Sequence, residues 1–384
     1  MSSERPLRVG IACYPTVGGS GILATALGEE LAERGHEVHF ISYERPFRLP
    51  LQAPRLFFHP VGVSHYGLFK YPDYTLPLSV RMAEVSRDHR LDVLHVHYAV
   101  PHATAAVLAR SMLPESMRPR VITTLHGTDT TLLGRDRDYE PAIRHALNHS
   151  DAVTTVSQFL CDETRHLFGY EKPVDVIHNF FTPRAPQRPA RQVREELGLK
   201  EDELVLLHSS NLRPLKRIDL LLETVARLKT GLPFRLVILA GDDFGPFASD
   251  VRLLHIQEKV LVLEKIRQIE DYLQVADLCL YTSETESFCL SILEAMCFSC
   301  PSVARRVGGI PELVDDGVTG QLVGSDNPDE LAAAVDGLLG DRGRRQRMGE
   351  AAQRRAVEKF SAGAIVPKYE ELYRRCIGKA EGRM

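Results

Sequence analysis

Residues 8–34, RVGIACYPTVGGSGILATALGEELAER, decide the fold class. The apolar run 8–11 has the length of a buried strand. Gly18-Gly19-Ser20-Gly21 has the composition of a turn, and residues 22–34 place apolar side chains at helical spacing. Strand, glycine turn and helix make the opening unit of a parallel, doubly wound sheet, and the amides of such a turn can face phosphate or carboxylate. Gly19, Gly21 and Ala24 fit the looser Gly-x-Gly-x-x-Gly/Ala dinucleotide spacing, whereas the all-glycine form is absent. Nicotinamide-dependent oxidoreduction therefore stands as a competing reading.

The same alternation continues outward. Residues 38–42, 57–61, 93–95, 121–125, 152–156 and 174–177 read as further strands, with helix-length segments between several of them. Thr182-Pro183-Arg184-Ala185-Pro186-Gln187-Arg188-Pro189 then places three prolines in eight residues, which suits a stiff connection. The pattern restarts with strand candidates at 204–208, 236–239, 260–263, 278–281 and 302–304. Helices are expected at 330–338 and 344–359, and an amphipathic segment at 364–376 is expected to cross back onto the first half. The expected fold class is α/β: two facing Rossmann-like domains with mainly parallel sheets. The expected domains are 1–181, completed by 362–384, and 182–361. A chain of 384 residues exceeds the size at which one core keeps growing, in keeping with two domains.

Composition narrows the function. With 47 basic and 51 acidic residues the formal charge is −4, which argues against a general nucleic-acid binder. The N-terminus lacks a signal-peptide core, and no apolar run is long enough to span a bilayer. The expectation is a cytoplasmic protein without stable membrane insertion; a homo-oligomer is left open. Seven cysteines are scattered. Cys297 and Cys300 have metal-ligand spacing, but no second pair accompanies them, so inert thiols are the expected reading.

The chemistry-bearing residues lie at strand ends, where open α/β sheets bind ligands. Glu286 and Glu294 stand eight apart at the mouth of a candidate helix, in Glu286-Ser287-Phe288-Cys289-Leu290-Ser291-Ile292-Leu293-Glu294, and Val307-Gly308-Gly309-Ile310-Pro311-Glu312 follows. First-turn amides can hold phosphate oxygens, and carboxylates can accept from sugar or ribose hydroxyls. Glu294 is the ribose candidate and Glu286 the candidate for the transferred sugar. In Asn211-Leu212-Arg213-Pro214-Leu215-Lys216-Arg217, Lys216 and a neighbouring arginine can stabilise charge on a departing diphosphate. Gly241 ends a strand and can line the nucleotide pocket. His126, in His126-Gly127-Thr128-Asp129, can donate to the sugar or orient an acceptor hydroxyl; His97 and His102 add polar groups near another strand end. Arg144 is a cationic candidate for an acidic acceptor. The bland alternatives are a solvated basic turn, capping carboxylates, buried structural histidines and a surface arginine.

Taken together, these segments resemble the retaining glycosyltransferases of family four, which have the GT-B fold. The resemblance is carried by Tyr14-Pro15-Thr16-Val17-Gly18-Gly19-Ser20-Gly21, His95-Val96-His97-Tyr98-Ala99-Val100-Pro101-His102-Ala103, Thr124-Leu125-His126-Gly127-Thr128-Asp129, the Glu286-to-Glu294 motif and Gly308-Gly309-Ile310-Pro311-Glu312. It is greatest to the branch that glycosylates L-malate in bacillithiol biosynthesis. That resemblance implies UDP-N-acetylglucosamine as donor, L-malate as acceptor, retention of the alpha configuration, and no metal or other cofactor. It implies catalytic roles for His126, Glu286 and Lys216. The nucleotide sugar would be held by Gly19, Asn211, Lys216, Arg217, Gly241, Glu286, Ser287, Phe288, Leu290 and Glu294, and the acceptor by Ser20, Tyr98, Thr124 and Arg144. Three departures from the family pattern stand out: Cys289 where glycine is common, the longer turn Asp242-Asp243-Phe244-Gly245-Pro246, and Glu264 in place of the frequent glycine after Leu263. A transferase acting on a lipid or polysaccharide intermediate is the runner-up, and a noncatalytic sugar-nucleotide sensor is a further alternative.

Overall fold

The computed structural model describes residues 5–15, 19–63 and 73–381. Gly18 lies outside them. The chain divides into two compact units, Met1–Asn179 with Ala362–Met384, and Phe180–Ser361.

The first unit is built on seven parallel strands: β1 Arg8–Ala12, β2 Glu37–Ser42, β3 Leu56–Pro60, β4 Val93–His97, β5 Arg120–Leu125, β6 Ala152–Thr155 and β7 Val174–Val176. Their order is β3-β2-β1-β4-β5-β6-β7. Helices cover the central strands on both faces, so β1 and β4 are buried almost throughout: Val9, Ile11, Val93, Leu94 and Val96 are fully buried. The helix Ala362–Glu381 packs into this unit although it is last in the chain. Tyr373 Oη lies 2.7 Å from His95 Nδ1, and Glu370 meets His36 Nε2 at 2.8 Å. Its buried face carries Ile365, Val366, Tyr369, Leu372 and Tyr373.

The second unit has six parallel strands: β8 Leu204–Ser210, β9 Phe234–Ala240, β10 Val260–Glu264, β11 Leu278–Tyr281, β12 Ser302–Arg305 and β13 Gly320–Val323. Their order, β10-β9-β8-β11-β12-β13, repeats the topology of the first six strands of unit one. Leu206, Leu236, Ile238, Leu278, Leu280 and Val303 form its core with Leu221, Leu222 and Val225 of the helix Ile218–Ala226. The sequence reading did not anticipate β13. Its four residues carry too little alternation to register, and it is held by pairing with β12 from Ser302↔Gly320 to Arg305↔Val323.

Both sheets reverse their winding between adjacent strands, β1 and β4 in one unit and β8 and β11 in the other. Loops leaving the carboxyl ends of those neighbours run to opposite sides and leave a crevice, the place where doubly wound sheets take ligands. Among the described residues, no helix is long and apolar enough to cross a membrane.

Candidate active site

In the second unit the β8 and β11 loops meet over the crevice. β8 ends at Ser210, and a short turn Pro214–Lys216 leads through Arg217, at φ +51°, into the helix Ile218–Ala226. The Glu284 amide donates to Leu215 O at 2.7 Å, and Thr282 Oγ1 donates to the carbonyls of Lys216 and Arg217 at 3.1 and 3.0 Å. These bonds pin the Lys216 backbone to the strand next door. The Lys216 ammonium consequently donates to Glu286 Oε1 at 2.5 Å, and Ser283 Oγ donates to the same oxygen at 2.7 Å. Burial works against the lysine charge, but the Glu286 carboxylate outweighs it and holds the pKa above its ordinary value. The result is a desolvated cation fixed at the switch point. Arg305, at the end of β12, donates to Ser283 O at 3.2 Å and so braces the same loop.

Gly308 holds Glu286 from beneath. It adopts φ +55°, and a Cβ there would fall 2.0 Å from the Glu286 carbonyl oxygen. That carbonyl accepts from the Gly309 amide at 2.8 Å. Only glycine permits this approach. Glu294 is largely buried in the helix Leu290–Cys297. The helix is tied to β8 by Ser291 Oγ, which donates to Ser209 O at 3.1 Å. Asn211 Oδ1 is buried without a hydrogen-bond partner among the described residues, an acceptor left for a ligand donor. The Gly241 amide donates to Ser210 O at 2.8 Å, which sets the β9 loop beside the β8 loop.

The first unit repeats the arrangement with different chemistry. Tyr98 follows β4 at φ +81°, and its hydroxyl donates to Ser20 Oγ at 2.7 Å, across the β1–β4 switch point. His97 Nδ1 and His126 Nε2 lie 2.8 Å apart, their rings stacked at 22°, so the ends of β4 and β5 converge. Asp129 fastens both ends: its carboxylate accepts from the Ala99 amide at 2.8 Å and from the His126 amide at 3.4 Å. Burial pushes the Asp129 carboxyl up to about 7, against the lowering pull of those amides. Burial pushes His126 down to about 4 and His97 well below its ordinary value, so both imidazoles are neutral at pH 7. Asp129 was not singled out as a site residue in the sequence reading. Its signal was present, an acid three residues beyond a strand-end histidine, but only the fold shows that it ties two loops.

Several sequence expectations change on contact with the structure. The Thr124 hydroxyl is fully buried and engaged by His95 Nε2 at 2.7 Å and Thr154 Oγ1 at 2.6 Å. It supports the histidine-bearing strand ends from within the sheet rather than facing an acceptor. The Phe288 ring is also interior, packed edge-on to Phe360 with centroids 5.7 Å apart, because an exposed aromatic there would forfeit a large apolar burial. Arg217 is held by Asp219, whereas Lys216 turns to Glu286. Arg144 is exposed and paired with Glu140 one turn earlier on the helix Glu140–His149. Gly19 and Ser20 open the helix Gly19–Glu33, whereas Ser287 and Leu290 are half-buried beside Glu286 and at the helix start. Cys297 and Cys300 do not form a pair: Cys300 Sγ lies 3.5 Å from Cys279 Sγ.

The departures from the family pattern also acquire reasons. Cys289 sits at φ +69° immediately before the helix Leu290–Cys297, a left-handed position that glycine occupies without strain. Its thiol is buried, which keeps it protonated. The other two departures are coupled. Glu264 Oε1 accepts from the Phe244 amide at 3.0 Å, so the acid that replaces glycine caps the lengthened turn. Phe244 itself is buried against Phe247, with centroids 5.6 Å apart.

The chain is similar to known proteins over most of its length. Residues 17–185 match the model "Glycosyltransferase Family 4", and residues 190–355 match "Glycosyl transferases group 1". N-acetyl-alpha-D-glucosaminyl L-malate synthase of Bacillus anthracis is 42% identical over 369 residues, covering 96% of each chain. A D-inositol 3-phosphate glycosyltransferase of Kineococcus radiotolerans is 29% identical over 405 residues, covering 94% of this chain and 91% of its own. Among solved structures, a glycosyltransferase from Rickettsia africae superposes with TM-score 0.81 at 18% identity, covering 97% of this chain and 99% of the other. Anabaena HepE in complex with UDP-glucose superposes with TM-score 0.76 at 19% identity, covering 98% and 100%. The chain is a glycosyltransferase with the GT-B fold and belongs to glycosyltransferase family four.

Proposed function

We propose that this enzyme transfers N-acetylglucosamine from UDP-N-acetylglucosamine to the hydroxyl of L-malate with retention, as in bacillithiol biosynthesis. The observation that carries the reading is the Lys216–Glu286 pair over the β8–β11 crevice, with Ser283 on the same carboxylate oxygen. The 42% identity to the malate synthase over 96% of both chains supports the choice of substrates.

The donor half of the reaction falls to the second unit. Lys216 stabilises the diphosphate as the bond from the sugar C1 to the phosphate oxygen breaks. Glu294 accepts from the ribose hydroxyls. Glu286 Oε1 is spent on Lys216 and Ser283, which leaves Oε2 for a sugar hydroxyl and argues against a covalent nucleophile. Retention then follows a front-face course. The malate oxygen forms its bond to C1 on the face that UDP leaves, and the departing phosphate oxygen takes the malate proton. The acceptor half falls to the first unit. With His97 Nδ1–H donating to His126 Nε2, His126 keeps its own proton on Nδ1 and offers it as a neutral donor. Tyr98 and Ser20 add hydroxyls. Transfer needs no metal in this scheme, because the lysine meets the leaving group's charge.

The test is incubation of purified protein with UDP-N-acetylglucosamine and an acceptor panel of L-malate, D-malate and inositol 3-phosphate, with and without chelator. Mass detection of N-acetylglucosaminyl-malate at undiminished rate in chelator is expected. UDP release with no glycosylated acceptor, or transfer only to the inositol phosphate, would overturn the reading.

A further inference from the structure

A second cluster of chemistry-bearing side chains lies in the first unit at the other end of the sheet. Residues 37, 39, 57 and 59 lie on one face of β2 and the edge strand β3, because side chains two apart share a face and the register pairs His39 with Phe57. The helix Thr75–His89 ends against this face and delivers His89. His39 Nδ1 and His59 Nε2 are 2.9 Å apart, and one ring nitrogen from each of His39, His59 and His89 lies within 4.8 Å of the others. His39 is fully buried; its partners are half-buried.

The fourth member of the group decides how to read it. Glu37 Oε1 lies 2.8 Å from His39 Nε2, on the side of the ring away from the cluster. A carboxylate there accepts a hydrogen bond from Nε2–H, which fixes the tautomer and leaves the Nδ1 lone pair facing His59. Carboxylate, imidazole and shared centre is the arrangement by which proteins orient metal-bound histidines. A tetrahedral ion at 2.0–2.1 Å would set its nitrogen ligands about 3.3 Å apart, so His39 and His59 need to open by only about 0.4 Å. Three imidazoles suit zinc and its neighbours in the transition series rather than magnesium or calcium.

We propose that His39, His59 and His89 form a binding site for a zinc-class divalent ion, with Glu37 orienting His39. The ion clips the edge strand β3 and the end of the helix Thr75–His89 to β2. Three side-chain ligands leave one coordination position to water. The site takes no part in the transfer proposed above: it lies on the face of the β2–β3 edge of the sheet, against the end of the helix Thr75–His89, whereas His126 and Tyr98 lie in the loops that follow β5 and β4.

The experiment uses the full chain, stripped with chelator and titrated with zinc chloride by calorimetry, with bound metal counted by elemental analysis. One ion per chain is expected. The double variant His59→Gln/His89→Gln should bind at least 100-fold more weakly, and Glu37→Gln about 10–100-fold more weakly, the usual cost of losing such a carboxylate. His145→Gln, on an exposed helical histidine pair, should leave binding unchanged. The cobalt-substituted protein should show nitrogen- and oxygen-type visible bands without thiolate charge transfer. Circular dichroism verifies that each variant is folded. Zinc binding of wild-type strength in the folded double variant, thiolate charge transfer with cobalt, or no stoichiometric binding to the wild type would each overturn the proposal.

Discussion

Gly308→Ala tests the support beneath Glu286. The new Cβ would start 2.0 Å from the Glu286 carbonyl oxygen, so that carbonyl must retreat by about 1 Å to reach even the closest contact real Cβ atoms show. The left-handed conformation of an alanine costs about 1–2 kcal/mol. Retreat of the carbonyl breaks the 2.8 Å bond from the Gly309 amide, a further loss of about 1–2 kcal/mol. The sum is about 3 kcal/mol, which for a unit of this size corresponds to a fall in Tm of roughly 10 °C. Because the same movement drags the Glu286 carboxylate off Lys216, UDP-sugar affinity should fall at least tenfold. Gly317→Ala is the control. Gly317 has φ +76° but nothing within 4 Å of its would-be Cβ, so it carries the conformational cost alone, about 1–2 kcal/mol, and should leave donor affinity intact. Differential scanning calorimetry and calorimetric titration with the UDP-sugar read both quantities. Equal losses in the two variants, or wild-type donor affinity in Gly308→Ala, would refute the claim that close backbone approach positions Glu286.

Lys216→Gln should lower kcat by about 10²–10³-fold, the usual cost of removing one preorganised donor to developing negative charge, with little change in acceptor KM; a loss under fivefold in steady-state rates would count against its role. Glu264→Ala should free the Phe244 amide and raise its hydrogen-exchange rate, while amides of β9 keep their protection; unchanged exchange at Phe244 would separate the two departures that the structure couples. Stability of the first unit should fall as pH drops from about 6.5 toward 4. Burial holds the folded-state pKa of His126 at about 4 and of His95 and His102 at about 3, so the unfolded chain binds protons first. Asp129 runs the other way. Its raised pKa means that the unfolded carboxyl releases its proton first, so its contribution is fully present below pH 3.8 and is lost as pH rises to about 7. Asp129→Asn should therefore steepen the net rise in thermal stability between pH 4 and 7, and a Tm profile identical to wild type would reject the buried acid.

The donor site was the more legible half. Glu286, Glu294 and Lys216 could be named as candidates because strand-end loops in this alternation carry ligands. What could not be seen was that Lys216 and Glu286, seventy residues apart, share one hydrogen bond. Thr124 and Phe288 turn their side chains into the interior, which the sequence did not reveal. Each stands two residues from a candidate site residue, and the packing of the surrounding sheet and helices, not the local spacing, turns these side chains inward. Cys289 looked like a simple replacement of glycine until its left-handed φ showed why glycine is common there.

The sequence by itself determined the two runs of strands and helices, the break between them and the strand ends on which chemistry would sit. Those are local properties: periods of 2 and 3.6 and the backbone restrictions of glycine and proline act within a few residues. Tertiary structure alone decided the strand order, and with it which loops become neighbours across each switch point. It also decided that Asp129 would bind two loops and that His39, His59 and His89 would converge. Such meetings depend on the packing of whole sheets against helices, a balance summed over distant residues that no short stretch of chain contains.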